Sequence, residues 1–182
     1  MKNLRDKVIV ITGASSGIGR AAAMAFAKRG SNIVLAARRI ERLEEVRTEV
    51  EKLGVKALVV PTDVTVPEHA QRLLDASIEH FGQIDVLINN AGIGIVGALS
   101  ETPIDEARKL FEVNFFGALR LMQLGLKTME RQGLGVIINV ASLAGLFPSA
   151  YVPVYNASKA ALISLSESTS IEYFGTRIKV VA

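Results

Sequence analysis

The sequence predicts an α/β protein organised as a doubly wound parallel sheet. Three observations carry that expectation: short, continuously apolar runs alternate with longer stretches of helical periodicity, the helical stretches end on glycines, and a glycine-rich turn joins the first run to the first helix. Runs that are apolar at every position suit strands buried on both faces, as in a parallel sheet covered by helices.

In chain order, Val8–Ile11 reads as the first strand and Ile18–Arg29 as the first helix, then Ile33–Ala37 and Ile40–Leu53, then Ala57–Val60 and Pro67–Phe81. The pattern continues with Val86–Ile88 and one long helix over Pro103–Arg131, then Val136–Val140 and Val154–Phe174, and a last strand at Ile178–Val181. Parallel neighbours require such crossovers, each right-handed. Gly30, Gly54, Gly82 and Gly133 each follow a helical stretch, where a left-handed residue is wanted, and Pro67 and Pro103 sit where a first-turn proline is tolerated. The expected strand order is 3-2-1-4-5-6, with ligand at the carboxyl ends of the strands near the switch between strands 1 and 4. Phe111, Phe115, Phe116, Leu119 and Met122 make an apolar helical stripe suited to the core or to a contact between copies.

Composition narrows the function. The 182 residues fall within the range of one domain, here taken as 1–182. Its 21 basic residues are interspersed among 18 acidic ones for a net charge of +3, which argues against a nucleic-acid surface. The absence of cysteine excludes disulfides and thiolate metal sites and agrees with a cytoplasmic location. The first apolar run, Val8 to Thr12, is too short for a signal peptide or a membrane span. His69 and His80 share one polar helix without metal-ligand spacing, so both are expected on the surface and no metal is expected.

The chemistry concentrates in a few motifs. T-G-A-S-S-G-I-G, Thr12 to Gly19, follows the first strand and opens the first helix. Gly13 permits a tight turn, Gly17 lets the backbone approach a pyrophosphate, and Gly19 lets the helix pack on the sheet, while the helix-start amides around Ile18 favour an anion. At the end of the second strand, an acid would bind a ribose diol. Ala37 stands there instead, followed by Arg38 and Arg39, whose guanidinium groups suit a 2′-phosphate with Ser15 and Ser16 as added hydroxyl donors. The other reading is a solvated basic turn balanced by Glu41, Glu44 and Glu45. Tyr155 and Lys159, four residues apart, project from the same helix face. A phenol is a poor base at neutral pH, and a nearby cation favours its ionised form.

The G-x-x-x-G-x-G turn is followed in order by Asp63-Val64, by N-N-A-G at Asn89 to Gly92, by Asn114, by Ser142, and by Y-N-A-S-K at Tyr155 to Lys159. Together these resemble the short-chain dehydrogenase/reductase family over essentially the whole chain. The resemblance implies a Rossmann fold and an enzyme that moves a hydride between a nicotinamide cofactor and a carbonyl or secondary alcohol. With Ala37, Arg38 and Arg39 as they stand, NADP is expected over NAD, and Arg38 is expected to set that preference. By the same resemblance, Asp63 would bind the adenine amino group with the Val64 backbone beside it, and Asn90, Ala91 and Gly92 would lie against the cofactor. Tyr155 would be the general acid/base, Ser142 would orient the reacting oxygen, Lys159 would bind the nicotinamide ribose and favour the phenolate, and Asn114 would help hold a water in a proton relay.

The implied partners are a small carbonyl or alcohol substrate and further copies of the chain, as a homodimer or homotetramer through the fourth and fifth crossover helices, with no nucleic acid and no membrane. The family pattern also continues past the sixth strand with a proline-glycine turn, a substrate-covering helix and a seventh strand. Because the sequence ends at K-V-V-A, the chain is expected to lack that part. A truncated, catalytically incompetent NADP-binding or interaction protein is therefore the alternative, and a portion of a longer product is a third reading. Leu143 to Val154, with Phe147 and Tyr151, suggests an apolar wall beside the substrate.

Overall fold

The computed structural model describes residues 3–182. Six strands, β1 (Val8–Thr12), β2 (Asn32–Ala37), β3 (Ala57–Pro61), β4 (Val86–Asn89), β5 (Gly135–Asn139) and β6 (Ile178–Val181), form one sheet in the order β3-β2-β1-β4-β5-β6. Every neighbouring pair is parallel. The helices are α1 (Gly17–Ala27), α2 (Ile40–Glu51), α3 (Pro67–Phe81), α4 (Ile104–Phe111), α5 (Gly117–Gln132) and α6 (Pro153–Glu172).

The continuous apolar runs are explained by the two faces they serve. Val8, Val10, Val34, Val60, Leu87 and Ile137 point to the side covered by Leu73 and Leu74 of α3 and by Leu121, Met122 and Met129 of α5. Their alternates Ile9, Ile11, Ile33, Leu35, Val86 and Ile88 meet Ala23 and Ala27 of α1 and Leu43, Val46 and Val50 of α2. Each such side chain contributes about 1.5–3 kcal/mol on full burial, so a polar residue at either set of positions would be costly. Among the described residues, no helix is long and apolar enough to cross a membrane.

The fourth crossover differs from the single helix that its periodicity predicts. A π-helical turn, Glu112–Phe116, separates α4 from α5, and Pro103 precedes α4 with ψ 137° rather than joining its first turn. One residue inserted into the helical ladder turns the side chain of Asn114 into the interior, where it is 1% exposed. The aromatic stripe is thereby divided. Met122 enters the core and Phe116 is left exposed, while Phe115 meets both Phe111 and Phe116 edge to face. β5 also begins and ends one residue earlier than expected, although the Val140 amide still donates to the Asn89 carbonyl at 2.9 Å.

The amino-terminal edge of the sheet centre is fastened by Asp85, which is 2% exposed. Its carboxylate accepts from Lys7 Nζ at 2.8 Å, the Val8 amide at 2.9 Å and Gln83 Nε2 at 2.8 Å, joining the starts of β1 and β4. Asp85→Ala leaves the buried Val8 amide without an acceptor, a loss of about 2 kcal/mol. The expected fall in melting temperature is about 4–8 °C, read by thermal denaturation; an unchanged Tm would show that water replaces the carboxylate at no cost.

Candidate active site

The loop Gly13–Ser16 leaves β1 and delivers the chain to α1. The first amides of α1 lack intrahelical acceptors, and no side chain caps them, so they present partial positive charge to whatever lies above. Gly17 has φ 54°, and no atom lies within 4 Å of where a Cβ would be, so this face of the loop is open. Gly19 is the opposite case, since a Cβ there would lie 2.6 Å from Asn90 Nδ2. That contact keeps α1 against the turn after β4. Asn90 Nδ2 donates to the Thr12 carbonyl at 2.9 Å, while Thr12 Oγ1 accepts from the amides of Asn90 and Ala91 at 3.0 and 3.1 Å.

Above the loop runs a cleft of about 470 Å³. Ser15, Ser16, Ile18, Arg38, Arg39, Asp63, Val64, Asn90, Ala91 and Gly92 all line it, together with Gly13 and Gly17. Gly19 sits beneath the loop, and Tyr155 and Lys159 are not among the lining residues. The two arginines divide their work. Arg39 Nη2 donates to Ser15 Oγ and Ser16 Oγ, both at 3.0 Å, whereas the charge of Arg38 acts on Asp63.

Asp63 forms a tight turn, its Oδ1 accepting the Thr65 amide at 3.0 Å and the Thr65 hydroxyl at 2.8 Å. Burial alone would raise its pKa, but the two Thr65 bonds, with Arg38 and His69, outweigh burial and hold the carboxyl below its ordinary value. A depressed carboxylate pKa stabilises the fold at neutral pH, and that contribution is lost as the pH falls through the folded value. His69 is not a plain surface residue: its Nδ1 accepts the Asp63 amide at 3.1 Å. His80 is exposed against Phe81, as expected. Among the described residues, no group of three His, Cys, Asp or Glu could hold a metal.

The second part of the site lies where α6 meets the π-helical turn. Lys159 is 5% exposed, and its Nζ donates to the Val140 carbonyl at 2.7 Å and stands 5.8 Å from the centre of the Tyr155 ring. Among the described residues no protein group bonds the Tyr155 hydroxyl. Asn114 grips Ile93 twice, accepting its amide at 2.8 Å and donating to its carbonyl at 2.9 Å, and donates also to Ser158 Oγ at 3.2 Å. Ser158 in turn donates to the Tyr155 carbonyl at 2.8 Å. A Cβ on Gly92 would lie 3.3 Å from Asn114 Oδ1 and 3.7 Å from Lys159 Nζ, so the turn after β4, the π-helical turn and α6 converge at one point. Ser142 starts a short 3₁₀ turn by accepting the Ala144 amide at 3.2 Å. Sequence reasoning assigns no separate role to Thr12 or Ser158, and it places His69 on the surface without its bond to the Asp63 amide. Thr12 stands in the sequence as the polar end of an apolar run and the first residue of the glycine-rich motif, with nothing to mark its hydroxyl as an acceptor for the turn after β4.

Burial lowers the pKa of Lys159 below the ordinary lysine value. A cation with a depressed folded pKa weakens the fold wherever it is protonated, and the penalty fades as the pH rises from the folded pKa towards the unfolded value of about 10.4. The stability of Lys159→Met relative to the parent is therefore expected to be greatest near neutral pH and to decline as the pH is raised. Melting curves of both proteins across that range provide the check, and a difference that grows with pH would contradict the burial argument.

A family model described as short chain dehydrogenase matches residues 7–182. An uncharacterized oxidoreductase of Staphylococcus epidermidis is 37% identical over 182 residues, covering 100% of this chain and 78% of that protein. Among solved structures, NAD⁺-bound xylitol dehydrogenase superposes with a TM-score of 0.95 at 33% identity, covering 98% of this chain and 69% of that one. A short-chain dehydrogenase/reductase from Burkholderia phymatum in complex with NAD superposes with a TM-score of 0.94 at 34% identity, over 98% of this chain and 65% of that one. Matched along nearly its full length by sequence family and by structure, the chain belongs to the short-chain dehydrogenase/reductase family of oxidoreductases.

Proposed function

We propose that this protein is an NADP-dependent oxidoreductase interconverting a carbonyl compound and a secondary alcohol, with Tyr155, Lys159, Ser142 and Asn114 as its catalytic set. The observation that carries the reading is the buried Lys159 ammonium, held by the Val140 carbonyl beside the Tyr155 ring at the point where Gly92 and Asn114 meet. The cleft suits a dinucleotide: open amides at the start of α1 for the pyrophosphate, Asp63 with one free oxygen for the adenine amino group, and small residues at Ala91 and Gly92. When bound, the nicotinamide supplies or accepts the hydride, two electrons with one hydrogen.

This chain's own residues handle the proton and the geometry. In the reducing direction Tyr155 gives its proton to the carbonyl oxygen, and in the oxidising direction it takes the proton of the hydroxyl. Ser142 orients that oxygen by hydrogen bonding. Lys159 stabilises the ionised phenol and contacts the ribose. The Asn114 side chain is committed to Ile93 and Ser158, so its part in a relay falls to its backbone carbonyl and to fixing the β4 turn against α6. Pairing of copies belongs on α5 and α6, near which Phe116, Ile171 and Phe174 stand exposed.

Support for NADP comes from Ala37, which offers no carboxylate, and from Arg39 held over the Ser15 and Ser16 hydroxyls with Arg38 alongside. The two NAD complexes among the structural neighbours favour the second reading, NAD. Arg39→Ala separates them. It is expected to weaken NADP binding by about 10- to 100-fold, the worth of a charge-assisted bond, while NAD titrates almost as before; equal losses for both would remove the phosphate role. For the chemistry, Tyr155→Phe is expected to lower kcat by about 10²–10⁴-fold with the Kd for cofactor retained. Robust turnover by that variant would reassign the acid/base.

A further inference from the structure

Six large apolar side chains stand exposed on only two segments, the one between β4 and α4 and the one between β5 and α6: Val96, Leu99, Leu143, Leu146, Phe147 and Tyr151. Val96 is 81% and Phe147 73% exposed. The backbone under them is anchored. The Gly97 amide donates to the Tyr151 carbonyl at 2.8 Å. Asn156, buried next to Tyr155 in sequence, donates to the Ser149 carbonyl at 2.9 Å. Gly145 lies so close to α6 that a Cβ would come within 2.8 Å of the Ala160 amide nitrogen. Tyr151 is held at φ 63°, a left-handed conformation that an aromatic residue keeps only when its surroundings impose it. Apolar groups presented to water on a fixed backbone form a binding surface rather than a frayed loop.

The same two segments carry a single charged side chain, the carboxylate of Glu101 just before α4. From Ala91 to Ser100 and from Val140 to Val154 there is no Asp, Glu, Lys, Arg or His. Ser142, Leu143, Leu146 and Ile163 line one cleft together with Ala182, and Glu167 is the one charged side chain along it. The Lys159 ammonium is turned inward to Val140. An anionic tail entering here would lose its hydration without gaining a counter-ion and would meet the Glu167 carboxylate.

We infer that the substrate is a neutral ketone or secondary alcohol bearing a bulky apolar group, seated on the wall formed by these six side chains. The inference rests on the reading of Ser142 and Tyr155 as the reacting centre. Sequence-distant loops supply the wall, and the Gly97–Tyr151 bond sets their spacing.

The test uses the full chain with NADPH and methyl ketones of increasing alkyl length, each paired with its terminal carboxylate and its terminal trimethylammonium counterpart. The expected kcat/KM rises about fourfold per added methylene until the wall is covered, and the carboxylate counterparts react about 100-fold more slowly. Phe147→Ser and Tyr151→Asn, both at exposed positions, are expected to flatten the length dependence while the Kd for NADPH holds. A flat response in the parent, or a preference for either charged series, overturns the inference and leaves the oxidoreductase reading standing. If no ketone consumes NADPH, that reading is the one in trouble. Calorimetric binding of the long-chain neutral alcohol against its carboxylate, with NADP⁺ present, then decides the substrate class, and equal or absent binding refutes it.

Discussion

Where the crossovers of neighbouring strands go to opposite faces of a sheet, the backbone groups just past the strand ends lose their ladder partners. At the ends of β1 and β4 this is met by two residues. Thr12 Oγ1 accepts the amides of Asn90 and Ala91, and Asn90 Nδ2 returns a bond to the Thr12 carbonyl. Each bond made is worth about 1 kcal/mol net, but a buried amide left unpaired costs about 1–3, so the clamp closes as a unit. The glycine loop is thereby fixed against the Asn89–Gly92 turn, and Gly19 can lie where no side chain would fit. Both ends of the cleft inherit their spacing from this clamp.

From the same turn, order spreads to α6 through polar groups inside the core. Asn89 Nδ2 donates to Asn139 Oδ1 at 2.8 Å, and Asn139 Nδ2 donates to Ser166 Oγ at 2.8 Å. Parallel to this ladder, Asn114 and Ser158 connect Ile93 with the Tyr155 carbonyl. These bonds set the height of Tyr155 and Lys159 relative to β4 and β5. The arrangement has a cost, since Asn89 Oδ1 is buried with no partner among the described residues, and Lys159 is held as a cation out of water. An interior of aliphatic side chains would be more stable and would place nothing.

The sheet was legible because burial on both faces demands unbroken apolar runs, and such runs have few other uses in a chain of this charge. The glycine turn and the Tyr155–Lys159 pair were legible because their chemistry demands particular spacings. The π-helical turn at Asn114 was not, because one extra residue leaves the apolar periodicity of its flanks almost intact. Of the adjacent Arg38 and Arg39, the sequence points to Arg38 as the residue that sets the cofactor preference, whereas Arg39 is the one bonded to Ser15 and Ser16. Only the direction in which β2 releases the chain into α2 decides that Arg39 reaches the loop hydroxyls. His69 reads as a surface residue because the helix around it is polar, and its bond to the Asp63 amide spans a turn whose closure no periodicity reports.

The single bond from the Gly97 amide to the Tyr151 carbonyl joins two connections more than fifty residues apart in the chain. Loops that move independently each lose conformational freedom separately when they close over a ligand, at about 1–2 kcal/mol for every residue that becomes ordered. Here the bond couples the two loops, so the ordering of one favours the ordering of the other by about 1 kcal/mol, the net worth of a single hydrogen bond. A molecule that orders one of these segments therefore meets a second whose ordering costs that much less, and the saving is shared by every ligand that touches either.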